Sequence, residues 1–196
     1  DFDETKSEFI ASATVQLSPG VSLETRQASA KLDDDDTVVA VIDTGIDYNH
    51  PSLKGSFLFD GDELVGHNFL NPSFLPYDYS LDGGKLTDHG THVAGILRQR
   101  FSKARIIPLR GYEAPASELI AKLETLKSRG YFVRVINGSF GGYGPTVPVK
   151  KIFEKVALRF PETLFVFAAG NDGYNNDIEL HYPAALTETY SNIISV

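Results

Sequence analysis

The chain of 196 residues contains no cysteine. Disulfide bridges, thiolate metal sites and cysteine nucleophiles are therefore excluded. Methionine is absent as well. No apolar run approaches the roughly 18 residues that a membrane-spanning helix needs. Positive charge is scarce: 18 Lys and Arg stand against 26 Asp and Glu, a formal net charge of −8. With no basic stripe to neutralise phosphates, nucleic acid and anionic membrane are not expected as partners. The N-terminus, Asp1-Phe2-Asp3-Glu4, is acidic and lacks the pattern of a secretory signal, so the chain is expected to be a processed product.

What remains is the composition of a globular protein, 42% hydrophobic and 22% charged. A chain of this length can fold as one domain and bury roughly 70% of its unfolded surface. Residues 1–36 read as an irregular lead-in ending in Asp33-Asp34-Asp35-Asp36, a solvated acidic loop or, alternatively, a cation site. From residue 37 onwards, apolar runs alternate with helical patterns. Val38–Ile42 is a short β-branched run of the kind buried on both faces of a parallel sheet. Residues 44–88, rich in Gly, Pro and Asn, read as a long surface excursion. A short helix is predicted from His89, a strand over Arg105–Leu109, and a helix over 117–129 with Ser117 as N-cap and Gly130 at its exit. A strand over Phe132–Ile136, a helix over 147–160 stopped by Pro161, and strands over Leu164–Ala168 and Ile193–Val196 complete the pattern. Strand–helix–strand alternation means right-handed crossovers and a mainly parallel α/β sheet.

Such sheets bind ligands at the carboxyl ends of their strands. Three polar stations fall there. Asp43 ends the first strand, where a carboxylate can accept an imidazole N–H or merely cap the turn. Ser139-Phe140-Gly141-Gly142 leaves the third strand with little side-chain bulk, either an edge that pairs with an extended peptide or a plain glycine loop. Asn171, after Ala168-Ala169-Gly170, can donate to a developing oxyanion or sit in an ordinary turn. His89 opens a helix between Asp88 and Gly90 and can act as a general base or be a surface histidine. His92, three residues on, raises a metal-hydrolase reading, which lacks the neighbouring Glu of a zincin motif.

Taken together and in order, these segments resemble the subtilisin-like serine peptidases (subtilases, family S8). The resemblance rests on Val41-Ile42-Asp43-Thr44-Gly45-Ile46-Asp47, His89-Gly90-Thr91-His92-Val93-Ala94-Gly95 and Ala168-Ala169-Gly170-Asn171-Asp172-Gly173. His50-Pro51-Ser52-Leu53, Asn137-Gly138-Ser139-Phe140-Gly141 and Tyr182-Pro183-Ala184 support it, and it spans about residues 37–196. It implies a serine endopeptidase in which Asp43 orients His89, His89 is the base, Asn171 the oxyanion donor, and Ser139, Phe140, Gly141 and Gly142 hold the substrate backbone. It implies no cofactor for the chemistry. A structural calcium is common in the family, but the usual loop after the His motif is missing here and Ser52 stands where an acidic ligand is common; Asp60, Asp62 and Glu63 are an alternative set.

The family's Gly-Thr-Ser-x-Ala nucleophile segment is not found. Ser191 and Ser195 follow Asn171 in loop-to-strand text, and Ser139 lacks the Gly-x-Ser-x-Gly setting of a nucleophile elbow. The serine is therefore expected in a C-terminal remainder or second chain, and this part of the sheet is expected to leave apolar surface exposed around Phe165, Phe167 and Ile193. The rival expectation is an inactive pseudo-peptidase that binds peptides. An extracellular or secreted location is the expectation for either.

Overall fold

A computed structural model of the chain describes residues 32–79, 87–144 and 148–196. The expected lead-in lies outside the described residues as far as residue 31. The strands are β1 (Thr37–Asp43), β2 (Phe59–Asp60), β3 (Glu63–Leu64), β4 (His67–Asn68), β5 (Ala104–Arg110), β6 (Val135–Gly138), β7 (Gly142–Tyr143), β8 (Leu164–Phe167), β9 (His181–Tyr182) and β10 (Ile193–Ser195). The helices are α1 (His89–Arg100), α2 (Ala116–Ser128) and α3 (Pro148–Arg159).

The β-branched run of β1 pairs on both sides, as its unbroken apolar character requires. It forms the middle of a six-stranded sheet in the order β10-β8-β6-β1-β5-β4. Every pairing in that sheet is parallel. Side chains alternate between the two faces. Val38, Ala40 and Ile42 join Ile136, Phe165, Phe167 and Ile193 on one face, packed against Leu119, Leu123 and Leu126 of α2 and Ile152, Phe153 and Val156 of α3. Val39 and Val41 join Ile106 on the other, against Ala94 of α1. The Phe153 ring lies 4.7 Å from that of Phe167, and removing it would cost about 3–5 kcal/mol.

Several expectations change. The stretch 44–88 is no mere surface excursion: Ile46, Tyr48, Leu53, Phe57, Leu58 and Tyr77 are buried in it, and β4 extends the sheet. Among its described residues, Gly45, Gly55 and Gly61 set turns with positive φ between apolar residues that follow no helical or strand period. Pro115, not Ser117, holds the cap position of α2, which begins at Ala116 without a side-chain cap. β6 starts at Val135 rather than Phe132, whose ring lies under the guanidinium of Arg134 at 4.5 Å. Phe165, Phe167 and Ile193 are buried, because Phe153 and the helices cover their face. In and directly after β8 and β10, the large apolar residues that are exposed are Leu164, Ile194 and Val196, whose positions alternate with them. The strands were rightly placed and the open face is the opposite one.

Candidate active site

Asp43 is the last residue of β1 and only 3% exposed. Its Oδ1 accepts from Thr44 N at 2.7 Å and faces His89 Nδ1 at 2.7 Å. An ionised carboxylate has no proton to give, so Nδ1 donates and Nε2 carries the lone pair. The His89 side chain is 55% exposed, which leaves Nε2 open towards solvent chemistry. Asp43 Oδ2 is buried without a partner among the described residues, so the donors this carboxylate meets, His89 Nδ1 and Thr44, all converge on Oδ1.

Two local features bring these residues together. Gly90 follows His89, and a Cβ there would fall 2.1 Å from Gly45 O and 3.0 Å from Asp43 Cβ. Only glycine lets the helix start approach the turn after β1 so closely. Asp88 precedes His89 in the left-handed region, at φ 61°, without a side-chain cap bond. This conformation is uncommon outside glycine and enriched in Asp and Asn, and it occurs here directly against the candidate base.

The other predicted residues lie on the same carboxyl edge. Ile42 is in register with Gly138 of β6, which is in register with Phe167 of β8. Ser139–Gly142 therefore leaves the strand next to β1, and Asn171 follows one strand further along. Ser139 Oγ lies 3.1 Å from Asn137 Nδ2. Phe140 points inward, stacked on Tyr112 at 5.1 Å, so its contribution to a substrate would be its backbone. Gly142 pairs with Tyr182 in the antiparallel β7–β9 ladder, which commits part of the expected free edge. Asn171 is exposed, in a turn where Gly170 has φ 102°. Its loop is fixed by Ala168 N to Gly138 O at 3.2 Å and Ala169 N to Val196 O at 2.7 Å.

Sequence reasoning missed two residues. Asp78, fully buried, bonds Thr44, Thr87 and Thr91 around the base of the Asp43–His89 pair. His181 fills the space between two of the stations. A Cβ on Gly141 would lie 2.8 Å from its Nε2, and one on Gly170 would lie 3.5 Å from the same atom. Tyr143 completes this contact, 4.9 Å from the His181 ring; partial burial and a hydrogen bond to Asp172 raise its phenol above the ordinary value. The signal in the sequence was indirect: glycines in two separated loops that share one bulky neighbour.

The metal-oriented alternatives find other partners. His92 lines a cavity of about 760 Å³ with His50, Asp88, Thr91 and Ile96, and His89 is not among its walls. Carboxylate oxygens of Asp33, Asp35 and Asp36 lie within 4.8 Å of one another, but Lys103 meets Asp35 at 3.0 Å and Arg105 meets Asp36 at 2.8 Å. Asp60 is ion-paired with Arg129. α1 runs unbroken to Arg100 and β5 begins at Ala104, so no inserted loop separates them. Ser195 lies in β10, three strand spacings from β1, roughly 14 Å at the usual 4.7–4.9 Å per strand, and Ser191 precedes that strand.

A family model described as the Subtilase family matches residues 34–196. The Major intracellular serine protease of Bacillus subtilis is 35% identical over 180 residues, covering 81% of this chain and 49% of that protein. The Cell wall-associated protease of the same organism is 31% identical over 190 residues, covering 90% of this chain and 19% of that protein. The Thermophilic serine proteinase of a Bacillus species is 29% identical over 170 residues, covering 81% and 37%. The chain thus spans less than half the length of each of these relatives. Among solved structures, the S41 Psychrophilic Protease superposes with a TM-score of 0.53 at 21% identity over 81% of this chain and 52% of its own. The A-subunit of the AB5 toxin from E. coli does so with 0.53 at 18% identity, over 82% and 56%. At such identities the likeness is one of fold.

Proposed function

The chain belongs to the subtilase family, and on that premise we propose that it is the acid–base part of a serine endopeptidase acting on extended peptides. One observation carries the reading: a buried carboxylate holds an exposed imidazole by Nδ1 at 2.7 Å, the arrangement that makes Nε2 a general base. His89 takes the proton of a serine supplied from outside these residues as that serine attacks the peptide carbonyl. Asp43 stabilises the imidazolium that results. Asn171 donates to the oxyanion, an interaction worth about 2.7–4 kcal/mol in the transition state. His89 then passes the proton to the leaving amine, and water cleaves the acyl-enzyme by the reverse sequence. Residues 139–141, which no other strand pairs with among the described residues, would hold the substrate backbone. The steps require neither metal nor organic cofactor.

The face bearing Leu164, Ile194 and Val196 supports a further segment that covers it and delivers the serine. Among the described residues, no helix is long and apolar enough to cross a membrane. The relatives' names divide between cell-wall and intracellular settings; the proposal takes the extracellular one, which fractionation of the source cells tests. The decisive experiment on activity treats the complete protein with a serine-directed fluorophosphonate and measures intact mass. One covalent adduct, abolished by His89→Ala, is expected. A complete protein that forms no adduct yet binds peptides would be the inactive binding module instead.

A further inference from the structure

Asp78 is 0% exposed, yet no step above uses it. Its two oxygens gather donors from both sides of the acid–base pair. Oδ1 accepts from Thr44 Oγ1 at 2.8 Å, at the turn after β1, and from the hydroxyl of Thr87. Oδ2 accepts from Thr91 N at 3.0 Å and Thr91 Oγ1 at 2.6 Å, in the first turn of α1. Arg110 supports this from β5: its Nε donates to Thr44 O at 2.8 Å and its Nη2 to Tyr79 O at 2.7 Å, holding the backbone beside both partners.

The Thr44 hydroxyl makes the arrangement more than a brace. It accepts from Gly90 N at 3.1 Å and has one proton to give. Two carboxylates compete for that proton, Asp78 Oδ1 at 2.8 Å and Asp43 Oδ1 at 3.2 Å. The shorter, better contact goes to Asp78. Asp43 Oδ1 therefore keeps its main-chain donor, Thr44 N, and directs its remaining charge at His89. We propose that Asp78 is a positioning residue for the proposed proteolytic reaction: it ties the Asp43 turn to the His89 helix and draws the Thr44 proton away from Asp43, so that Asp43 is held for the imidazole. The charged and titratable groups around His89 that bear on this are Asp43, Asp88, His92 and, through Thr44, Arg110 and Asp78.

This inference rests on the protease reading for its consequence in catalysis but not for its geometry, and the test separates the two. Asp78→Ala and Asp78→Asn are prepared in the complete protein, with Asp36→Asn as a control that breaks a partly buried ion pair at the opposite end of β1. The low-field proton resonance of His89 Nδ1–H is recorded by NMR, alongside kcat and KM on a peptide substrate. Asp78→Ala is expected to broaden or remove that resonance and to lower kcat by about 100-fold with little change in KM, the scale of a slightly misplaced catalytic group. Asp78→Asn, which keeps an acceptor for Thr91 but offers an amide proton to Thr44, should retain the resonance at a shifted position with a smaller fall in kcat. Asp36→Asn should lower thermal stability and leave both readouts alone. An unchanged His89 resonance in Asp78→Ala, or an equal change in Asp36→Asn, overturns the proposal. Should Asp78→Ala fail to fold, an Asp78→Asn resonance at the wild-type position overturns it instead. A wild-type protein without hydrolytic activity would sink the protease reading, while the resonance still decides the role of Asp78.

Discussion

At Gly90 one methyl group would have to occupy space 2.1 Å from a carbonyl oxygen. Gly90→Ala should therefore push α1 from the turn after β1, at a cost of about 1–3 kcal/mol by analogy with overpacked cores. Urea unfolding checks the loss, and NMR of the His89 ring checks the displacement; an alanine variant of wild-type stability would contradict the contact. His89→Ala should lower kcat of the complete protein by about a millionfold, the scale that loss of the triad histidine has in subtilisin. Burst kinetics with an activated ester would show whether acylation is the lost step. Asp43 and His89 could be read from the sequence because each sits at an element boundary in a motif of fixed spacing. Asp78 could not: Tyr77-Asp78-Tyr79 lies in a stretch without periodicity, and its partners at Thr44 and Thr91 come near only in the folded chain. His181 escaped for the same reason.

Individual strands and helices were legible wherever hydrophobic period was strong. β1, β5, α2, α3, β8 and β10 emerge within a few residues of expectation. The excursion between β1 and α1 did not, since its buried side chains follow turns rather than a period. That region also sets part of the acid stability. Burial, and then the charge of Lys122, hold the His67 imidazole below its ordinary value of 6.5. The unfolded chain consequently takes up the proton first as pH falls. Stability is full above about pH 6.5 and declines below it until the folded value is passed. Burial pushes the Asp36 carboxyl up, but Arg105, the Asp33 backbone and Lys103 outweigh it and leave the group below 3.8. Its contribution is present above that value and is lost as pH falls through the folded one. Urea unfolding at stepped pH should show one loss that begins below about pH 6.5 and another that begins below about pH 3.8. His67→Gln should flatten the upper and Asp36→Asn the lower; a variant with an unchanged slope in its window would refute the assignment.

For the molecule as a whole, the alternation of strands and helices was enough to predict a parallel α/β sheet, and the sheet is one. What the pattern could not decide was which face of β8 and β10 stays open, because both carry apolar residues and only the position of α3 separates them. Leu164 at 36%, Ile194 at 38% and Val196 at 71% exposure give that face its apolar character. The 196-residue chain alone is therefore expected to enhance the fluorescence of a hydrophobic dye such as ANS, and the complete protein to do so much less. Equal enhancement would mean that no further segment covers the face.

The order β10-β8-β6-β1-β5-β4 places the first long strand in the middle and the last at an edge. Synthesis proceeds from the N-terminus, and chains can begin to fold as they emerge. The strands flanking Asp43 and the helix bearing His89 are complete before β10 leaves the ribosome. On the proposed reading, a nascent enzyme would assemble its proton-handling pair early and acquire the power to cut peptides only once the serine is brought to it. Its neighbours on the ribosome would be spared until the sheet edge that invites aggregation has itself been covered.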